Sequence, residues 1–121
     1  MPSPKRKVGD VGEEIACKYL QKKGHKILER NYWKPWGEID IVTEKAGTLS
    51  FIEVKSISRG TIRPEENMHL GKMKRLNRAI QTYLLDRKVP ETTNWQITLA
   101  CVVLNFETKR AKIDLIENIV L

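Results

Sequence analysis

Cysteine is nearly absent from this chain, and so are long apolar runs and an excess of acid. Cys17 and Cys101 are the only two cysteines in 121 residues. Their separation fits no metal-ligand or redox spacing, and two cysteines in a chain of this size do not make a disulfide framework. Both are therefore expected as reduced, largely buried thiols. No apolar run approaches the roughly 20 residues of a spanning helix. The charged N-terminus also lacks the apolar segment that a secretory signal would carry next. No membrane partner is expected; the expected location is the cytoplasm, the nucleoid included. Gly (7) and Pro (5) are scattered without period, which excludes collagen-like and low-complexity chains.

The composition that remains, 40% hydrophobic and 31% charged, suits one soluble domain with its own core. Acids are the scarce charge: 15 Asp and Glu stand against 22 Lys and Arg, a net +7. That balance favours a polyanionic partner through counterion release, or serves only to keep the surface soluble. Residues 1–8 read as a basic tail and 9–121 as a single domain. Asp10 can cap a first helix running to about Lys23, where Gly24 ends it. Val11, Ile15, Ala16, Tyr19 and Leu20 supply its apolar stripe. After Lys26–Glu29 and a turn-like stretch over Asn31–Gly37, two strands are expected at Glu38–Glu44 and Thr48–Lys55. A polar loop over Ser56–Pro64 leads to a long helix from about Met68 to Lys88, with Met73, Leu76, Ile80, Tyr83 and Leu84 as its buried stripe. Strands at Trp95–Phe106 and Lys109–Glu117 complete an α/β pattern.

The chemistry gathers on the middle strands. Side chains alternate along a strand, so Glu53-Val54-Lys55 puts Glu53 and Lys55 on one face. A short connection over Lys45–Thr48 pairs Glu44 with Leu49, and the same register sets Asp40 opposite Glu53. A slip of one residue would undo that juxtaposition. Two carboxylates on neighbouring strands make an oxygen site for a hard divalent cation, and Lys55 can orient water or face a developing phosphoryl charge. A cross-strand ion pair on a solvated face uses the same residue types. Flanking Ile39, Ile41, Val42, Ile52 and Val54 place both acids in buried strands, where a charge needs a partner or a metal. Glu13 borders the apolar stripe of the first helix. That placement is unusual for a carboxylate, and an acid favoured by the helix dipole is its ordinary reading.

Glu13, Gly37-Glu38-Ile39-Asp40, Glu53-Val54-Lys55 and a basic helix, in this order and spacing, resemble the PD-(D/E)xK nuclease superfamily. More closely, together with Gly12, Arg30-Asn31 and Lys72-x-x-Arg75-Leu76, they resemble the UPF0102 (YraN-like) family of small bacterial proteins; the likeness runs from about Gly9 to Leu84. It implies a restriction-endonuclease-like fold, a central mixed β-sheet flanked by helices, and Mg²⁺-dependent (or Mn²⁺-dependent) hydrolysis of phosphodiesters. Carried over, Asp40 and Glu53 become metal ligands, Lys55 the catalytic lysine, and Glu13 an outer ligand or water-positioning carboxylate. The chain departs from the pattern at Ile39, where the superfamily's name has proline. It departs again at Ile57, where an arginine is common, with Arg59 the nearest base, and at Gln96–Leu99, which lacks a frequent Arg-x-Asp.

Nucleic acid, DNA above all, is the partner this reading implies, on branched or damaged structures. Lys72, Lys74, Arg75 and Arg78 crowd the first half of the second helix and, with Arg59, are the candidate phosphate contacts. Trp33, Lys34 and Trp36 suit either base stacking or anchoring of a loop. His25 and His69 lack ligand-like spacing. Cutting two strands takes two such sites, so a homodimer is expected. A binding module of the same fold with little or no catalysis is the alternative.

Overall fold

The computed structural model describes residues 4–58 and 70–120. In chain order the elements are α1 (Pro4–Lys22), β1 (Lys26–Lys34), β2 (Gly37–Lys45), β3 (Thr48–Ser58), α2 (Leu70–Asp86), β4 (Asn94–Asn105) and β5 (Arg110–Ile116). The strands form one sheet in the order β1-β2-β3-β4-β5. β3 and β4 are parallel, joined through α2, and the other neighbours are antiparallel. This mixed sheet with a helix on each face is the α/β fold expected, consistent with a restriction-endonuclease-like architecture.

Alternation along the strands builds two cores. Ile41, Ile52, Ala100 and Val102 pack with Ala16, Cys17 and Leu20 of α1. Val42, Phe51 and Ile97 pack with Leu76, Ile80 and Tyr83 of α2. Phe51, wholly buried, stands edge-on to Tyr83 and Trp95 with centroids 5.4 and 5.5 Å apart. Each such pair adds about 0.5–1.5 kcal/mol beyond the area it buries. α1 approaches β3 at Gly12, where a Cβ would lie 1.8 Å from Ser56 Oγ and 2.6 Å from Ser56 Cβ.

Three boundaries differ from expectation. α1 begins at Pro4, six residues before Asp10, so Asp10 is an interior helical residue and not its cap; proline is well tolerated in a first turn. β1 runs through the stretch expected as a turn, pairing Tyr32↔Ile39, Trp33↔Glu38 and Lys34↔Gly37. Only Pro35 and Trp36 make the turn. Ser56, Ile57 and Ser58, expected in a loop, extend β3; Arg59, His69 and the rest of that loop lie outside the described residues. Cys17 is buried and Cys101 half-buried, and no disulfide joins them.

Candidate metal centre

The hairpin register is the one read from the sequence. Lys45↔Thr48, Glu44↔Leu49, Thr43↔Ser50, Val42↔Phe51 and Ile41↔Ile52 pair without slip. The next position on that register is Asp40 opposite Glu53, and there the ladder stops. On the other side Arg30↔Ile41 is followed by Tyr32↔Ile39, stepping over Asp40 and Asn31. Ile39 and Ile41 should share a face at a spacing of two, yet Ile39 packs with α2 and Ile41 with α1. The change of face falls on Asp40, across from Asn31, whose φ of 54° lies in the left-handed region. Asparagine enters that region more readily than most residues.

Freed from the ladder, Asp40 uses its side chain in place of backbone pairing: Oδ2 accepts a hydrogen bond from the Val54 N–H at 2.7 Å. Glu53 and Lys55 share the α2 side of β3 with Phe51. Glu53 is only 5% exposed, and Lys72 of α2 forms an ion pair with its Oε1. Burial pushes the Asp40 carboxyl up to about 8, and the neighbouring Glu53 charge adds to the rise. Burial also draws the Lys55 ammonium down to about 8, helped by a hydrogen bond and repulsion from Lys72. Burial alone would lower Lys72 as well, but the Glu53 carboxylate outweighs it and holds that ammonium above its ordinary value.

Glu13 stands at the margin of this group. Its Oε1 is buried without a hydrogen-bond partner and lies 3.5 Å from Arg30 Nη2. Burial raises its carboxyl, against the pull of Arg30, and its charge reaches Asp40. Arg30 also binds Glu14 at 2.9 Å. Among the described residues no three His, Cys, Asp or Glu side chains stand close enough to hold one ion. The candidate donor set is reduced to Asp40 and Glu53, whose charges interact. Two carboxylates completed by water and phosphate oxygens suit Mg²⁺, which keeps much of its hydration. Lys72 neutralises Glu53 where such a cation would do so.

The basic helix separates into two parts. Lys72 is half-buried and belongs to the carboxylate pair, whereas Lys74, Arg75 and Arg78 are exposed. A signal for its burial was in the sequence: Lys72 precedes Leu76 by one turn and so borders the buried stripe. Arg75 and Lys72 line a cleft of about 240 Å³ with Trp33, Glu38 and Glu53. Trp36 is tied down by Nε1 donating to Thr82 Oγ1 at 3.0 Å, and Lys34 Nζ lies 3.9 Å from Asp86. His25 Nδ1 is bonded to Thr43 Oγ1 at 2.8 Å, away from the pair.

Sheet order, the helix on each face and the lapse in the ladder at two carboxylates define an α/β domain with an acidic–basic cluster at a strand break. The model of the uncharacterised protein family UPF0102 matches residues 12–117, and this chain belongs to that family. It is 35% identical over 114 residues to a UPF0102 protein of Alkaliphilus oremlandii, covering 93% of this chain and 97% of that one. A UPF0102 protein of Campylobacter lari is 39% identical over 111 residues, covering 92% and 91%. One from Thermotoga petrophila is 47% identical over 77 residues, covering 64% and 70%. No helix among the described residues is long and apolar enough to cross a membrane.

Proposed function

We propose that this protein is a divalent-metal-dependent nuclease that hydrolyses phosphodiester bonds in DNA. Asp40 and Glu53 would hold Mg²⁺ or Mn²⁺, Lys55 is the catalytic lysine, and Glu13 acts from the margin on the water or its hydration shell. The observation that carries this reading is the burial of two interacting carboxylates, Asp40 and Glu53, just past the last β2–β3 pair, Ile41↔Ile52. Two carboxyl groups are buried together there, and the rise of the Asp40 carboxyl is the cost of that arrangement in the absence of a cation. A bound cation would neutralise charge building on the phosphorus and acidify water. Lys55, drawn toward neutrality, can take a proton from the attacking water or return one to the leaving oxygen. Val54 N–H fixes the Asp40 carboxylate, and Arg75, Arg78 and Lys74 offer charge to the flanking phosphates.

Branched or damaged DNA, a cytoplasmic or nucleoid location and a homodimer that cuts both strands belong to the same proposal. A second reading has one observation of its own. Lys72 already neutralises Glu53, as it would in a binding module with no need of metal.

Labelled linear, flap and four-way-junction DNAs, incubated with the protein in Mg²⁺, Mn²⁺ or EDTA, separate the two. Metal-dependent cleavage that falls by about 10²–10³ in Asp40→Ala and Lys55→Ala is the expected outcome. Cleavage that survives either substitution would sink the assigned site, and binding without cleavage in every condition would establish the module.

A further inference from the structure

The β1–β2 turn carries two indoles with different fates. Trp36 is pinned to α2 through Thr82. Trp33 is 65% exposed; its backbone pairs with Glu38 in the ladder, but its indole makes no hydrogen bond or ring contact with another described residue. It forms one wall of the cleft whose other lining includes Glu38, Glu53, Lys72 and Arg75. The indole therefore borders the space that contains a carboxylate of the proposed metal pair.

We propose that Trp33 is a stacking platform for an unpaired nucleobase beside the scissile phosphate, so that the substrate is DNA with a single-stranded or extrahelical nucleotide at the cut. The inference rests on the nuclease reading and narrows its substrate. A base inside a duplex already has both faces covered by neighbours, whereas an unstacked base has a face to give. Stacking on an open indole removes apolar surface of both rings from water and is indifferent to sequence. The rest of the cleft suits the remainder of a nucleotide. Arg75 and Lys72 supply cations for its phosphates, and the Glu38 carboxylate can accept from an exocyclic amine. The close approach of α2 at Gly37, where a Cβ would meet the Arg75 carbonyl oxygen at 2.2 Å, keeps the two walls of the cleft together.

Binding in EDTA, where no cleavage occurs, tests this by fluorescence anisotropy and intrinsic tryptophan emission. The probes are a short single strand, a blunt duplex, the duplex with an unpaired flap, and the single strand with abasic sites in place of its bases. Trp33→Ala should weaken single-strand and flap binding about tenfold and leave duplex binding unchanged. Trp33→Tyr should keep most of the affinity. Quenching by the single strand should persist in Trp36→Phe, vanish in Trp33→Tyr, and be absent with the abasic strand. Equal losses on all probes, or no loss, would overturn the stacking site while leaving the nuclease reading intact. If no probe binds at all, both fall. Trp33 is exposed, so its variants should melt like the parent, and a lowered melting temperature would count against the proposal by making the residue structural.

Discussion

At its turn, the β2–β3 hairpin closes on Lys45↔Thr48, with Ala46 and Gly47 at φ of 51° and 81°. Positive φ at both central residues is the turn whose twist matches the strands it joins. At the other end the same two strands stop pairing one residue short of two carboxylates, Asp40 and Glu53. There a side chain takes over from the backbone, with Asp40 receiving the Val54 N–H. One end satisfies local rules and the other breaks them, while a single register serves both. On the proposed reading the open end carries the chemistry, since departures from local consistency concentrate where a site is built.

The largest effect on stability should come from the open end. Gly37 begins β2, and a Cβ there would lie 2.2 Å from the Arg75 carbonyl oxygen and 2.9 Å from its carbon. Both are backbone atoms, so α2 itself must shift. Gly37→Ala should destabilise by about 1–3 kcal/mol in urea unfolding. Unchanged stability would show that α2 is not held against the hairpin and that the cleft is not a fixed shape.

Much of this was legible in the chain because register propagates. Alternation in Glu38–Glu44 and Thr48–Lys55, with a short connection, was enough to pair residues 44 and 49, and the pairs as far as Ile41↔Ile52 follow, one short of Asp40 and Glu53. Asn31, Pro35 and Gly37 misled, since each signals a turn. Pairing with β2 carries β1 through to Lys34, and Asn31 absorbs the irregularity in its own φ. Lys72 was legible as a cation but not as the partner of Glu53. That pairing joins a helix to a strand across an intervening loop, and local spacing carries no record of it. Glu13 is similar: its place on the helix was readable, but its pairing with Arg30 depends on how α1 lies over β1.

A smaller effect, opposite in sign, should come from Asp40 in metal-free protein. Its carboxyl is pushed up to about 8, by burial first and then by Glu53. From the ordinary carboxylate range up to that value the folded state holds a proton that the unfolded chain has lost. Stability therefore falls as pH rises through this window and levels off above it. Asp40→Asn removes the titration. Its melting temperature should match the parent near pH 4 and exceed it by a margin that widens steadily toward pH 8. Mg²⁺ or Mn²⁺ should close that gap by stabilising the parent alone. A gap that does not depend on pH would mean that the carboxylates are not in tension. The open end would then be as relaxed as the turn.

The smallest effect belongs to the turn, and it sharpens the contrast most cleanly. Ala46 sits at φ 51° without a side chain suited to it, whereas asparagine before glycine is the preferred pair in such a turn. Ala46→Asn should stabilise by roughly 0.5 kcal/mol, read as a higher urea midpoint at unchanged slope. Because the register is fixed by the buried faces as well as by the turn, the spacing at Asp40 and Glu53 should not move. Cleavage and nucleic-acid binding should then equal those of the parent. If the more stable turn changed either, the two ends of the hairpin would be coupled. The separation of a stabilising end from a reactive one would then be wrong.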